Sequence, residues 1–267
     1  MSESLHLRTL HSAEELLACE RIQQDVWGTD DLGVTPVHFF VASVHSGGFV
    51  LGAFDGDHMV AFLNGFPSYL PDKRTGVGLH SDMMGVLPAY RAKGLGRKLK
   101  WFQREWCLAR NINWITWTFD PLQAKNARLN LEHLGVTVDE YRVNEYGVLG
   151  GGLNGNLPTD RLLAFWDLHA ERVQHCRDGI KQAPVDLEKI PKALESVHGK
   201  PDHINLDLPD TQLRVAIPQD LNTLLATDFD LALAWRMAVR EVLGQYLARG
   251  YQIVRFVEGT YIIENRT

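Results

Sequence analysis

Cysteine is scarce in this sequence. Cys19, Cys107 and Cys176 stand far apart with no Cys-x-x-Cys pairing, which argues against a disulfide framework and against a cysteine zinc site. His169 and His175 are six apart and no His-x-x-x-His with a carboxylate occurs, so no metal is expected. No apolar run reaches the roughly 18 residues a bilayer crossing needs. The start, Met1-Ser2-Glu3-Ser4-Leu5-His6, lacks the basic and then apolar pattern of an export signal. Positive charge is in deficit, with 27 Lys and Arg against 33 Asp and Glu, so the molecule as a whole repels polyanions and nucleic acid is not an expected partner. The seven tryptophans then read as packing residues rather than base-stacking platforms. These absences describe a soluble cytoplasmic protein with no membrane partner.

What is present begins with size. The chain has 267 residues, 45% of them hydrophobic, enough for one full core and an appendage. The little positive charge is concentrated: Arg91, Lys93, Arg97, Lys98 and Lys100 fall within ten residues, directly after an apolar run that stops at Pro88. A strand ending at a proline, then glycines and bases opening a helix near Gly94, describes a site for a phosphorylated ligand, because first-turn N–H groups have no intrahelical acceptor and the positive dipole end lies there. A dinucleotide fingerprint would need glycine where Leu99 stands, and Gly96-Arg97-Lys98 does not complete a P-loop.

Arg91, Gly94 and Gly96, preceded by Met84-Gly85-Val86-Leu87-Pro88, instead resemble the acyl-coenzyme A loop of the GNAT N-acetyltransferases, Arg/Gln-x-x-Gly-x-Gly/Ala after a Leu-x-Val-x-Pro-like strand end. The resemblance covers about residues 1–170. It implies an α/β (mixed α+β) GNAT fold, a central mixed twisted sheet flanked by helices, with acetyl-CoA or another acyl-CoA as co-substrate and no metal.

The local patterns predict a strand over 5–10 and a helix to about Trp27 opened by the capping box of Ser12 and Glu15. Asp55-Gly56-Asp57 joins Phe49–Phe54 and His58–Phe66 into a hairpin. Asp72-Lys73-Arg74-Thr75-Gly76 turns the chain into a strand over 79–87. The helix from Gly94 to Arg110 carries Leu95, Leu99, Phe102, Trp106 and Ala109 as an apolar stripe opposite its lysines and arginines. Trp114–Phe119 reads as a buried strand, and Asp120-Pro121 as the start of a helix ending at Leu134 before Gly135. Two strands, 136–143 and 161–168, flank the glycine-rich stretch 147–155. The expected organisation is an acyltransferase domain over 1–170, an irregular linker over 171–212 and a strand-helix-hairpin extension over 213–267. The extension contains a strand at 213–217, a helix capped by Asp228 or Asp230 and a turn at Glu258-Gly259. At roughly fifty residues it is too small to stand alone, and it docks on the main sheet or on a second copy of the chain, as in a homodimer.

The resemblance also places the chemistry. Met84 to Val86 would bond the pantetheine arm, with the Val86 N–H aimed at the thioester oxygen. Arg91, Ala92, Lys93, Gly94, Leu95, Gly96 and Arg97 would hold the diphosphate, and Asn126 resembles an asparagine that relatives use nearby. His80 lies six residues before Val86, where the histone-acetyltransferase branch carries a glutamate base. Strand alternation puts His80, Asp82, Met84 and Val86 on one face, so Asp82 is a second candidate to take the proton or hold the acceptor's ammonium. The family's usual tyrosine acid, four residues before the helix-ending glycine, is replaced here by Leu131, leaving Tyr141, Tyr146 or solvent to protonate the thiolate. Arg74, Arg142 and Arg161 could clamp a carboxylate. Asp160 joins Arg161 because 157–162 looks like a segment of a poorly characterised GNAT branch with a C-terminal extension.

The expected function is N-acyl transfer, with acetyl as the default group, to a small amine or amino acid by direct attack in a ternary complex. An inactive acyl-CoA-binding module and an O-acyltransferase are the alternatives.

Overall fold

The computed structural model describes residues 5–28, 33–70, 74–147 and 156–266. The expected turn residues Asp72 and Lys73, and most of the glycine-rich stretch (148–155), lie outside the described residues. The chain divides into two compact units, residues 1–117 with 167–169, and 118–166 with 170–267.

The first unit is a mixed sheet in the order β1 (His6–Leu10), β2 (Phe49–Asp55), β3 (His58–Tyr69), β4 (Val77–Val86) and β5 (Trp114–Phe119), whose last residues pass into the second unit. Neighbours are antiparallel except β4 and β5, which run parallel. Helix α1 (Ala13–Trp27) starts at Ser12, where the reciprocal Ser12 and Glu15 capping box is formed. With α2 (Val37–His45) it covers one face, where Leu16, Cys19, Ile22, Phe40 and Phe62 form a core. Helix α2 is absent from the sequence expectation because Val37, Phe39, Phe40 and Val41 are nearly continuous apolar residues with no helical period.

Helix α3 (Leu95–Leu108) carries a surprise. Its buried set is Leu95, Leu99, Lys100, Gln103, Arg104 and Cys107, so the expected separation of apolar stripe from basic residues is incorrect at Lys100 and Arg104. The Arg104 guanidinium donates through Nε and Nη2 to the Leu168 carbonyl at 3.2 and 2.8 Å, and the Leu168 N–H donates to Asn113 O at 3.0 Å.

The second unit orders its strands β7 (Arg161–Asp167), β6 (Thr137–Arg142), β11 (Tyr251–Val257), β12 (Thr260–Asn265), β10 (Gln212–Ala216), β8 (Lys192–Val197) and β9 (Lys200–Asp202). The β11–β12 hairpin turns on Glu258 and Gly259, both at positive φ (49° and 76°), as a two-residue primed turn requires. Helix α7 (Phe229–Ala248), capped by Asp228, buries Trp235, Val239, Val242, Leu243 and Tyr246.

Three expectations are corrected. Residues 171–212 are not irregular throughout, since they form α5 (Glu171–Arg177), β8 and β9. Helix α6 (Leu221–Thr227), capped by Asp220, precedes α7. The helix expected from Pro121 starts only at Ala124 as α4 (Ala124–Arg128) and continues as a π-helical turn, Leu129–Leu134, because Asp120 uses its carboxylate to cap Leu122 N–H in a separate turn (2.8 Å). Gly135 then ends it in the left-handed region, as expected.

Candidate active site

Three features of the first unit assemble around β4. The first is its break with β5. The strands pair at Leu79↔Ile115 and His80↔Thr116, and β4 runs on to Val86 with no further β5 pair among the described residues.

The second is a bulge. Leu63 faces Met84 and Gly65 faces Ser81, so Asp82 and Met83 together oppose Asn64. Buried Asn64 accepts the Met83 N–H at 3.0 Å. The extra residue resets the alternation. Met84 and Val86 share the face of Ser81, toward α3, whereas His80 lies on the α2 face against Phe66, the ring centroids 5.4 Å apart. The expected common face of His80, Asp82, Met84 and Val86 is therefore incorrect. Leu87 N–H bonds Val60 O at 3.0 Å, so the preceding residue, Val86, directs its N–H and carbonyl away from β3.

The third is the loop. After a 3-10 turn at Pro88–Tyr90, Arg91 to Gly94 are exposed. Ala92 and Gly94 lie at φ 60° and 76°, and the first helical N–H to find its acceptor is Lys98, at Gly94 O (3.1 Å). A Cβ at Gly94 would meet nothing within 4 Å, while one at Gly96 would meet Met84 Cε at 3.3 Å. Arg91 does not point outward from this loop, because its Nε donates to Val86 O (3.0 Å) and its Nη2 to Val26 O (3.3 Å), tying the loop to the strand end. Lys93 lies over the Tyr90 ring at 5.3 Å.

His80 Nδ1 is 3.1 Å from Thr116 Oγ1. Asp82 is exposed as a residue, yet desolvation raises its carboxyl above the usual range, opposed by a hydrogen bond from Asn64. Sequence reasoning missed Lys100, whose Nζ donates to Ser81 Oγ at 2.8 Å and lies 3.8 Å from the Trp117 ring centroid. Burial pulls its ammonium down to about 7. The recurrence of Lys100, Gln103, Arg104 and Cys107 at helical spacing is the signal that could have found it.

In the second unit the expected residues separate. Asp160 is wholly buried and accepts from Arg240 Nε and Nη2 (2.8 and 2.7 Å), Tyr141 Oη (2.7 Å) and Asn144 N (3.0 Å). Burial pushes its carboxyl up, and the bonds from Arg240 and Tyr141 outweigh this and hold it below the usual value. It anchors structure and is not available to a substrate. The same bond, with burial as the larger cause, raises the Tyr141 phenol far above its ordinary value, and its hydroxyl hydrogen is given to Asp160. Tyr146 is exposed and shares a 2.8 Å hydrogen bond with Thr118 on β5. Arg161 lies over the Tyr146 ring at 5.3 Å and 3.6 Å from Asp120, which also holds buried Arg236 at 2.6 Å. Arg142 is matched by Glu140 and Glu145, both at 2.7 Å. Arg74 donates its backbone N–H to Leu70 O, and Asn126 is exposed on α4. Among the described residues no group of His, Cys, Asp and Glu could hold a metal ion, and no helix is long and apolar enough to cross a membrane.

Residues 11–135 match the acetyltransferase (GNAT) family model. That segment, 125 of the 267 residues, is a GNAT acetyltransferase domain by this match, which supports an acyltransferase activity. Arabidopsis thaliana NAA60, solved in complex with acetyl-CoA, has a similar fold, with a TM-score of 0.50 at 14% identity over 62% of this chain and 100% of that one. YncA of Salmonella typhimurium, described as a putative acetyltransferase with its cofactor acetyl-CoA, gives 0.49 at 18% identity over 63% and 96%. No curated protein matches the chain.

Proposed function

We propose that the protein transfers an acyl group, acetyl by default, from acyl-CoA to a primary amine of a small molecule or amino acid inside a ternary complex. The observation that carries this reading is the parting of β4 from β5 after His80, on a strand that leads into an exposed loop and the open first turn of α3. The residues fit a CoA thioester. The loop N–H groups at Leu95 and Gly96 suit a diphosphate, and the outward amide of Val86 suits the oxyanion that forms during attack.

In this mechanism His80, oriented by Thr116, takes the proton of the acceptor's ammonium, and Asp82 holds that cation as it approaches. The amine nitrogen bonds the carbonyl carbon, the carbon–sulfur bond breaks, and the thiolate takes its proton from water.

The test is thiol release from acetyl-CoA in the presence of separate panels of amines, amino acids, peptides and alcohols. Release with small amines or amino acids supports the reading. Release only with peptides or alcohols, or CoA binding without any release, overturns it. Wild-type rate–pH profiles in both His80→Ala and Asp82→Ala would remove the proposed base and cation holder.

A further inference from the structure

Lys100 stands out as a buried cation without an anion. The residue is 3% exposed, and among the described residues no carboxylate lies within ion-pair distance of it. Burying an ammonium in this way costs stability, and an apolar residue of similar length on α3 would avoid that cost. Its contacts are specific in place. The last paired residues of β4 and β5 are His80 and Thr116, and Lys100 touches the very next residue of each strand: Ser81 by hydrogen bond (2.8 Å) and Trp117 through its ring face (3.8 Å). Gln103 Oε1 takes a further hydrogen bond at 3.3 Å. Ser81 shares the α3 face with Met84, so the amine stands on the helix side of the point where the two strands separate.

We propose that Lys100 is a positioning residue that holds Ser81 and Trp117 apart and so fixes the width of the cleft between β4 and β5 that receives the pantetheine arm of acyl-CoA. This rests on the acyl-CoA reading of that cleft and adds to it a residue that sets its shape without touching the reacting atoms. The hydrogen bond determines where Ser81 stands. The cation over the indole determines where Trp117 stands, an attraction that a methyl group or thioether of the same length lacks. Removing the amine lets the strands close by one or more further pairs, and the arm must then reopen them on binding.

The measurement is calorimetric affinity of the full-length protein for CoA and for ADP, which carries the diphosphate but no pantetheine arm, in wild type, Lys100→Met and Ser81→Ala. A cleft that is no longer held open weakens CoA binding by about tenfold in Lys100→Met and less in Ser81→Ala, with ADP affinity unchanged, because only the arm loses a preorganised site. Lys100→Met keeps or raises the melting temperature, since it removes an unmatched buried charge. Equal loss of CoA and ADP affinity marks general damage to the fold and overturns the proposal, as does wild-type CoA affinity in both variants. If Lys100→Met does not fold, Ser81→Ala decides alone. If the wild type itself binds no CoA, the acyl-CoA reading fails first, and that outcome is separate from a wild type that binds and variants that bind equally well.

Discussion

The side-chain oxygen of Asn64 accepts the backbone N–H of Met83 at 3.0 Å, at the point where two residues of β4 face one of β3. That bond satisfies the amide a bulge would otherwise leave unpaired, and it turns Met84 and Val86 toward α3. Replacing Asn64 with Leu buries an unsatisfied donor, with an expected loss of about 1–3 kcal/mol in urea denaturation. Acetyl-CoA turnover falls further than stability alone explains, because the Val86 amide is re-aimed. Unchanged turnover in a folded Asn64→Leu protein would separate the bulge from the chemistry.

The two loop glycines respond differently. Gly94→Ala places a side chain at φ 76° with open space around it, so the penalty is conformational, about 1 kcal/mol, and the loop shifts to relieve it. CoA affinity falls with it. Gly96→Ala meets only the mobile end of Met84 at 3.3 Å, and both stability and affinity stay close to wild type. Denaturation and calorimetry on the pair test this order, and a reversed ranking contradicts it.

Asp160 gathers three side-chain bonds and one backbone bond in the second unit. Asp160→Ala strands Arg240 and Tyr141 together and is expected to cost about 3–5 kcal/mol, the loss typical of breaking a buried pair from one side. Asp160→Asn retains acceptors for Tyr141 and loses less. If Asp160→Ala instead leaves the denaturation midpoint in place and raises only the KM for the acceptor, the residue is a substrate ligand after all.

Lys100 also gives stability a pH dependence of known sign. Its ammonium is lowered from the ordinary 10.5 to about 7 in the folded chain by burial, with the neighbouring Cys107 opposing weakly. Between these values the unfolded chain holds the proton more tightly, so stability rises with pH, by up to about 1.4 kcal/mol per unit. Below about 7 the penalty is fully present. Lys100→Met removes it, so the variant's melting-temperature advantage is greatest near neutral pH and shrinks toward pH 10. A constant difference across that range contradicts the assignment.

Much of this was readable where the signal is local. The Ser12 and Glu15 capping box, the Asp-Gly turn at 55–56, the Glu258-Gly259 turn and the Gly94 to Gly96 loop each declare themselves within a few residues. The bulge at Asn64 does not, because β4 looks regular by itself and only its register against β3 shows the extra residue. The partners of Asp120 and Asp160 lie 116 and 80 positions along the chain, beyond any pattern, which is why Asp160 reads as a candidate ligand when it is a buried anchor. Lys100 reads by residue type as part of the solvated face, and its position on the helix shows otherwise.

The Arg104 guanidinium closes on the carbonyl of Leu168, a residue well past the family-matching segment that ends at 135. A gene fragment trimmed to that segment would keep the Glu105 partner of this arginine, at 2.6 Å, and delete its carbonyl acceptor. Boundaries drawn from family similarity also cut through the second compact unit, so soluble expression is expected of the longer clone rather than of the trimmed one.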